Sequence, residues 1–213
     1  MRPALTRLHL FAMGTMNPRL VKLALAILTA VWAVVRPAFA QEAALRLDPE
    51  KTAVRFTLEA TMHTVHGTFR LKNGAIKFDP ATGAASGAVV VDAASGETGN
   101  QRRDRNMHRD VLGSARYPEI TFTPARVIGA VQPQGESSMQ VEGVLRLQGS
   151  DHPITLPFKV QASESELRAT TRFEVPYVAW GLKNPSTFLL HVADKVELSI
   201  AATGKLTRAA AEH

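Results

Sequence analysis

From residue 45 onward the chain repeats one pattern: short runs in which every second residue is apolar, separated by turn-forming residues. Side chains of an extended strand alternate between two faces, so each run builds a strand with one apolar and one polar face. "TAVRFTLEA" sets Val54, Phe56 and Leu58 against Arg55, Thr57 and Glu59. "DKVELSIAATGKL" sets Val196, Leu198 and Ile200 against Glu197, Ser199 and Ala201. Between them lie "GTFRLKNGAIKFD", "SGAVVVDAAS", "PEITFTPARVIGAV", "SSMQVEGVLRLQG", "HPITLPFKVQA" and "ELRATTRFEV". About eight or nine such runs at short spacing predict an all-β domain. Closing the sheet into a barrel removes its adhesive edges, and about eight strands enclose room for one small ligand. A β-sandwich satisfies the same strand count. Within the series, Asn73-Gly74 predicts a two-residue hairpin.

One segment breaks the alternation. "TGNQRRDRNMHRDVLGS" places Met107 and Val111 four apart, and Asp104 and His108 likewise. Thr98 with Gln101 predicts a capping box, Gly113 a stop, and the whole a helix near 99–112. Asp104 and Asp110 interrupt its four arginines and no aromatic residue is interleaved, so the segment reads as a solvated helix face rather than a nucleic-acid patch.

Residues 1–40 read as a secretory signal peptide. Arg19 and Lys22 precede an apolar run of 13 residues, Leu23 to Val35, and Ala38-Phe39-Ala40 forms a cleavage box. The run is short of the roughly 20 residues that span a bilayer. These features are complete from Met16, which is therefore the expected start. The domain expected at 41–213 carries 20 basic and 19 acidic residues, because five of the 25 basic residues and no acidic one fall in the leader. A near-neutral exported domain offers no electrostatic footprint for nucleic acid. There is no cysteine, so neither a disulfide nor a thiol nucleophile is available.

The domain resembles the YceI-like family of exported lipid-binding proteins. The resemblance runs from about Leu45 to Leu206 and rests on five segments in order. "LDPEKTAVRFTLEATMHTVHGTFRLKNGAIKFD" is similar to the family's opening strands. "TGNQRRDRNMHRDVL", with Arg103, Asp104 and His108, resembles its internal helix. "RYPEITFTPARV" resembles its Tyr-Pro-x-Ile-x-Phe strand at Tyr117, Pro118, Ile120 and Phe122. "VEGVLRLQGSDHPITLPF" resembles its Gly-x-Leu-x-x-x-Gly hairpin at Gly143, Leu145 and Gly149, with Pro153 after it. "YVAWGLKNPSTFLLHVADKVELSI" resembles its closing segment. Arg146 and Leu45 depart from the family's usual threonine and aromatic. The resemblance implies a lipocalin-like antiparallel barrel of about eight strands with one short helix at its side. It also implies a periplasmic or secreted protein that holds a polyisoprenoid, an isoprenoid quinone or a fatty-acid-like chain.

The candidate ligand-binding residues are the inward apolar ones: Phe56, Leu58, Phe69, Val89, Val91, Phe122, Leu145, Leu156, Phe158, Phe173, Leu198 and Ile200. Trp180 joins them, because amphipathic aromatics sit where an apolar cavity meets water. Arg103 and Arg109 have two readings, head-group contact at the mouth or an Arg–Asp pin that holds the helix, and the pin is preferred. His63 and His66 lie three apart on an expected strand, hence on opposite faces unless the chain bends at Gly67, so no metal site is assigned. No nucleophile motif is present, and no catalytic residue or cofactor is assigned. The expected partner is a long-chain isoprenoid or acyl lipid, with no nucleic acid; transient membrane contact and a homodimer are compatible with it. The alternative is a quinone-linked or metal-assisted redox accessory.

Overall fold

A computed structural model describes residues 43–208 apart from Val131, Pro133, Gln134 and Glu164. The expected leader at 1–40 and its Met16 start lie outside the described residues. Among the described residues nine strands form one antiparallel sheet: β1 (Ala43–Leu47), β2 (Ala53–Ala60), β3 (His63–Phe78), β4 (Ala85–Glu97), β5 (Glu119–Ile128), β6 (Gly135–Leu147), β7 (Ser150–Ala162), β8 (Glu166–Val175) and β9 (Val196–Arg208). From β2 to β9 each strand pairs with its successor. The sheet closes where β9 pairs with the N-terminal strands.

β1 and β2 share one position in this ring of eight. β2 lies between β3 at His63–Phe69 and β9 at Glu197–Ala201, and β1 lies between the same two strands farther along. A 3-10 turn at Pro49–Lys51 interrupts this split stave, with the Asp48 side chain accepting from Glu50 N at 3.0 Å. Proline at the first turn position forfeits no ladder donor.

The hairpin expected at Asn73-Gly74 does not form. β3 runs straight through it, with Gly74 opposite Val89 and Ala75 opposite both Arg46 and Ala88. A strand with partners on both sides cannot turn without breaking two ladders. The pair instead sits beside a register shift between Leu71 and Asn73, and a Cβ on Gly74 would lie 2.7 Å from Leu47 Cδ1. Glycine here answers close packing rather than a turn. The tight two-residue hairpin is Gln148-Gly149, with φ of 50° and 78° and Leu147 opposite Ser150, the conformation of a type I′ turn.

The helix expected near 99–112 is present in two parts: α1 (Gln101–Asn106) and a π-helical segment, Met107–Leu112, ended by Gly113 at φ 56°. The capping box does not form. Asn100 is the cap, its Oδ1 accepting from Arg103 N at 3.1 Å. Thr98 is drawn instead to Asp104, which accepts from both its backbone N and its hydroxyl.

The pairing of β2 with β3 passes through Gly67 without a shift, so the chain does not bend there. Gly67 faces Phe56, and a side chain at 67 would run into the Phe56 ring and come 2.6 Å from the Glu97 carbonyl oxygen. We therefore expect Gly67→Val to destabilise the protein by about 2 kcal/mol through overpacking. Urea unfolding with an unchanged midpoint would contradict this.

Candidate functional site

The inward faces of the strands do not meet in a filled core. They surround a cavity of about 590 Å³, well within the range of small-molecule sites. Its lower part is walled by Leu45 and Leu47 of β1, Met139 of β6, Val160 of β7, and Leu167 and Ala169 of β8. Its upper part is walled by Leu147, Val175, Tyr177 and Leu182. Phe69, Phe122, Phe158, Phe173, Leu198 and Ile200 also line it and are only partly buried, because they face this space rather than one another.

Twelve of the thirteen candidate residues line the cavity: Phe56, Leu58, Phe69, Val89, Val91, Phe122, Leu145, Leu156, Phe158, Phe173, Leu198 and Ile200. Trp180 does not. Its ring stacks on His152, 4.1 Å between centroids and 4° from parallel. The reason lies in the wall. β7 pairs with β8 only at Lys159–Ala162, and above that point the two strands part. The connection from β8 to β9 carries Trp180 onto His152 of β7, so the indole braces this seam from outside the cavity.

The upper end carries the polar lining. His63, Thr98, Asn100, Arg102, Arg103, Asn106 and Thr187 stand there, and no carboxylate belongs to the described lining. Met107, Val111 and Leu112 turn the helical segment's apolar side into the cavity. A network fixes that segment. Arg103 Nε donates to Thr98 Oγ1 at 2.7 Å and its Nη2 to the Thr98 carbonyl at 3.0 Å, while Asp104 accepts from Thr98. Arg103 and Asp104 thus meet through Thr98, which ties the helix to the end of β4. His108 adds a second tie. Its Nε2 lies 2.9 Å from the Gly96 carbonyl, which can only accept, so Nε2 carries the proton and Nδ1 accepts from Ser114 Oγ at 3.1 Å. Arg109 is outside the lining and pairs with neighbouring Asp110 at 2.7 Å.

His63 and His66 lie on opposite sides of the wall: His63 lines the cavity, and His66 Nδ1 sits 3.3 Å from Thr57 Oγ1. Among the described residues no group of three or more His, Asp or Glu side chains gathers as a metal site would require. Tyr177 closes the upper end from the connection between β8 and β9, donating its hydroxyl to the Ala193 carbonyl at 2.7 Å. Burial, then the negative charge of Asp194, pushes its phenol up to about 12. Met107, Val111 and Leu182 were not among the candidates, because helix and loop residues carry no period-two signal; Tyr177 carries the same amphipathic aromatic signal that brought in Trp180. Val54, Val65 and Val160 could have been found by parity with Phe56, Phe69 and Phe158.

An up-and-down antiparallel ring around an apolar cavity, with a helix at one end, defines a lipocalin-like barrel. The chain belongs to the YceI-like domain family, whose model matches residues 45–204. It is 32% identical over 98 residues to Protein YceI of Escherichia coli O17:K52:H18, covering 45% of this chain and 49% of that protein. It is 37% identical over 94 residues to a UPF0312 protein of Pseudomonas savastanoi pv. phaseolicola, covering 43% and 47%. The matches thus span about half the length of these curated relatives. Among solved structures, BcnA of Burkholderia cenocepacia superposes with a TM-score of 0.61 at 21% identity, covering 74% of this chain and 98% of that one. A polyisoprenoid binding domain from Saccharophagus degradans, implicated in plant cell wall breakdown, superposes at 0.56 with 16% identity, covering 76% and 98%.

Tyr177→Phe should cost about 1 kcal/mol at neutral pH, the scale of one buried hydrogen bond. The phenol's pKa is raised in the folded state, so as pH rises the unfolded chain loses this proton first. The contribution is therefore complete below pH 10 and lost as pH climbs toward about 12. Denaturation of wild type and variant across that window checks it; a constant difference would contradict the assignment.

Proposed function

We propose that this protein is a periplasmic or secreted binding protein, not an enzyme, that holds one long apolar lipid inside the barrel. The polyisoprenoid, isoprenoid quinone and fatty-acid-like chains expected from the sequence all fit this description. The observation that carries the reading is the cavity wall: twelve aliphatic or aromatic candidates face one space, while the polar lining is confined to the helix end. The family and the polyisoprenoid binding neighbour support the same ligand class.

The energetics suffice without a catalytic group. Burying a chain of ~16 CH₂ units at ~0.8 kcal/mol each is worth ~13 kcal/mol gross. Lost translational and chain freedom offsets several kcal/mol of this. A micromolar complex needs about 8 kcal/mol. A polar head group would remain at the helix end, near His63, Asn100 and Arg102, where its hydrogen bonds need not be stripped.

Phe122→Asp and Phe158→Asp each place a carboxylate against the lipid chain. An unpaired buried charge costs several kcal/mol or takes up a proton. Each variant, shown folded by circular dichroism, should lose at least tenfold in affinity for a polyisoprenol presented in detergent micelles. Arg102→Gln and Arg109→Gln should weaken binding by less than about 2 kcal/mol, the scale of one charge-assisted hydrogen bond. Folded arginine variants that lose the lipid while folded aspartate variants keep it would contradict the reading.

A further inference from the structure

Four large apolar side chains are exposed among the described residues, and three of them, Met62, Phe188 and Leu189, stand at the helix end of the barrel. Their exposures are 83%, 102% and 85%. Met62 occupies the two-residue turn between β2 and β3. Phe188 and Leu189 form the tip of a second turn, in which Thr187 N donates to the Leu190 carbonyl at 2.8 Å and Leu190 N to Thr187 Oγ1 at 3.2 Å. Turn tips ordinarily carry Gly, Asn, Asp or Ser, which suit water and turn geometry. Hydrogen bonds between Thr61 and His191 at 2.9 to 3.1 Å tie the two turns together.

The residues flanking these tips line the cavity: His63 follows Met62, and Thr187 and Leu190 bracket Phe188 and Leu189. The three exposed tips therefore stand at the mouth of the cavity, and through Leu190 the apolar lining reaches the Phe188-Leu189 turn. The charged residues of the cavity lining, Arg102 and Arg103, belong to the same end of the barrel, and Arg103 is tied to Thr98, which leaves Arg102 to meet a ligand or surface.

We infer that Met62, Phe188 and Leu189 form a membrane-docking rim through which the barrel exchanges its lipid with an anionic bilayer. The inference rests on the binding reading above. A long-chain lipid resides in membranes rather than in water, so the mouth must reach an acyl layer to load. Short apolar protrusions at the same end of the barrel as the Arg102 guanidinium match a bilayer interface, where rings and aliphatic tips enter the head-group boundary and an arginine meets phosphate. A second copy of the chain fits less well. Three such side chains offer roughly 500 Å² between them, against the ~800 Å² per partner of a stable dimer.

The test uses the full chain and a triple variant, Met62→Ser with Phe188→Ser and Leu189→Ser, which alters exposed positions outside the cavity lining. Vesicles of phosphatidylethanolamine and phosphatidylglycerol carrying a polyisoprenol serve as probe. The variant should co-sediment at least tenfold less, and extract the polyisoprenol at least tenfold more slowly. Its binding of polyisoprenol from detergent micelles should match wild type. If the variant docks and extracts like wild type, the inference is overturned. It is overturned equally if the triple change only converts a dimer to a monomer, because the rim is then a contact between copies. If neither protein binds polyisoprenol in micelles but only wild type sediments with vesicles, the docking rim stands and the binding reading fails.

Discussion

The pairing of β9 with β1 and β2 is the contact on which the rest of the structure depends. Apart from the β1–β3 ladder, which belongs to the same split stave, every other ladder joins a strand to its successor in the chain, so the pairing with β9 makes the sheet a ring. Closure does two things at once. It gives the terminal strands ladder partners in place of exposed edges. It also turns one apolar face of a sheet into an enclosed space, with no second layer required to cover it. The split between β1 and β2 shows how strongly closure is served, since two short strands with a 3-10 turn between them complete a single stave.

The ring is not uniform. The β7–β8 ladder is short, and the upper wall there depends on the long connection between β8 and β9. Three side chains of that connection act together: Trp180 stacks on His152, Tyr177 bonds Ala193, and Asn184 Nδ2 bonds the Val192 carbonyl at 3.1 Å and Asp194 Oδ1 at 2.7 Å. The same connection carries the Phe188-Leu189 turn. The brace of the β7–β8 seam and the proposed membrane contact are thus carried by one piece of chain. The Thr98–Arg103–Asp104 network holds the helical segment at this end of the barrel.

The strands and their inward faces were legible because a single-walled barrel imposes one rule, apolar side in. Phe56, Phe122 and Ile200 obey it, and parity alone places them. What escaped the sequence had a different cause in each case. Asn73-Gly74 has turn chemistry, but partners on both flanks of β3 override a local preference. Thr98 has capping chemistry, but Asn100 is better placed and Asp104 competes for the hydroxyl. Trp180 has the character of a mouth residue, yet the parting of β7 from β8 created a site for it elsewhere. Met107 and Leu182 reach the cavity from a π-helical turn and a loop, where no short period marks which way a side chain points.

On the binding reading the space inside the ring holds an apolar chain. Native mass spectrometry of the purified protein, followed by organic extraction and lipid analysis, decides it. One long-chain isoprenoid or acyl lipid per barrel is expected, released on delipidation and regained from micelles. A protein that carries no lipid, regains none, and yet is folded and monomeric would contradict it.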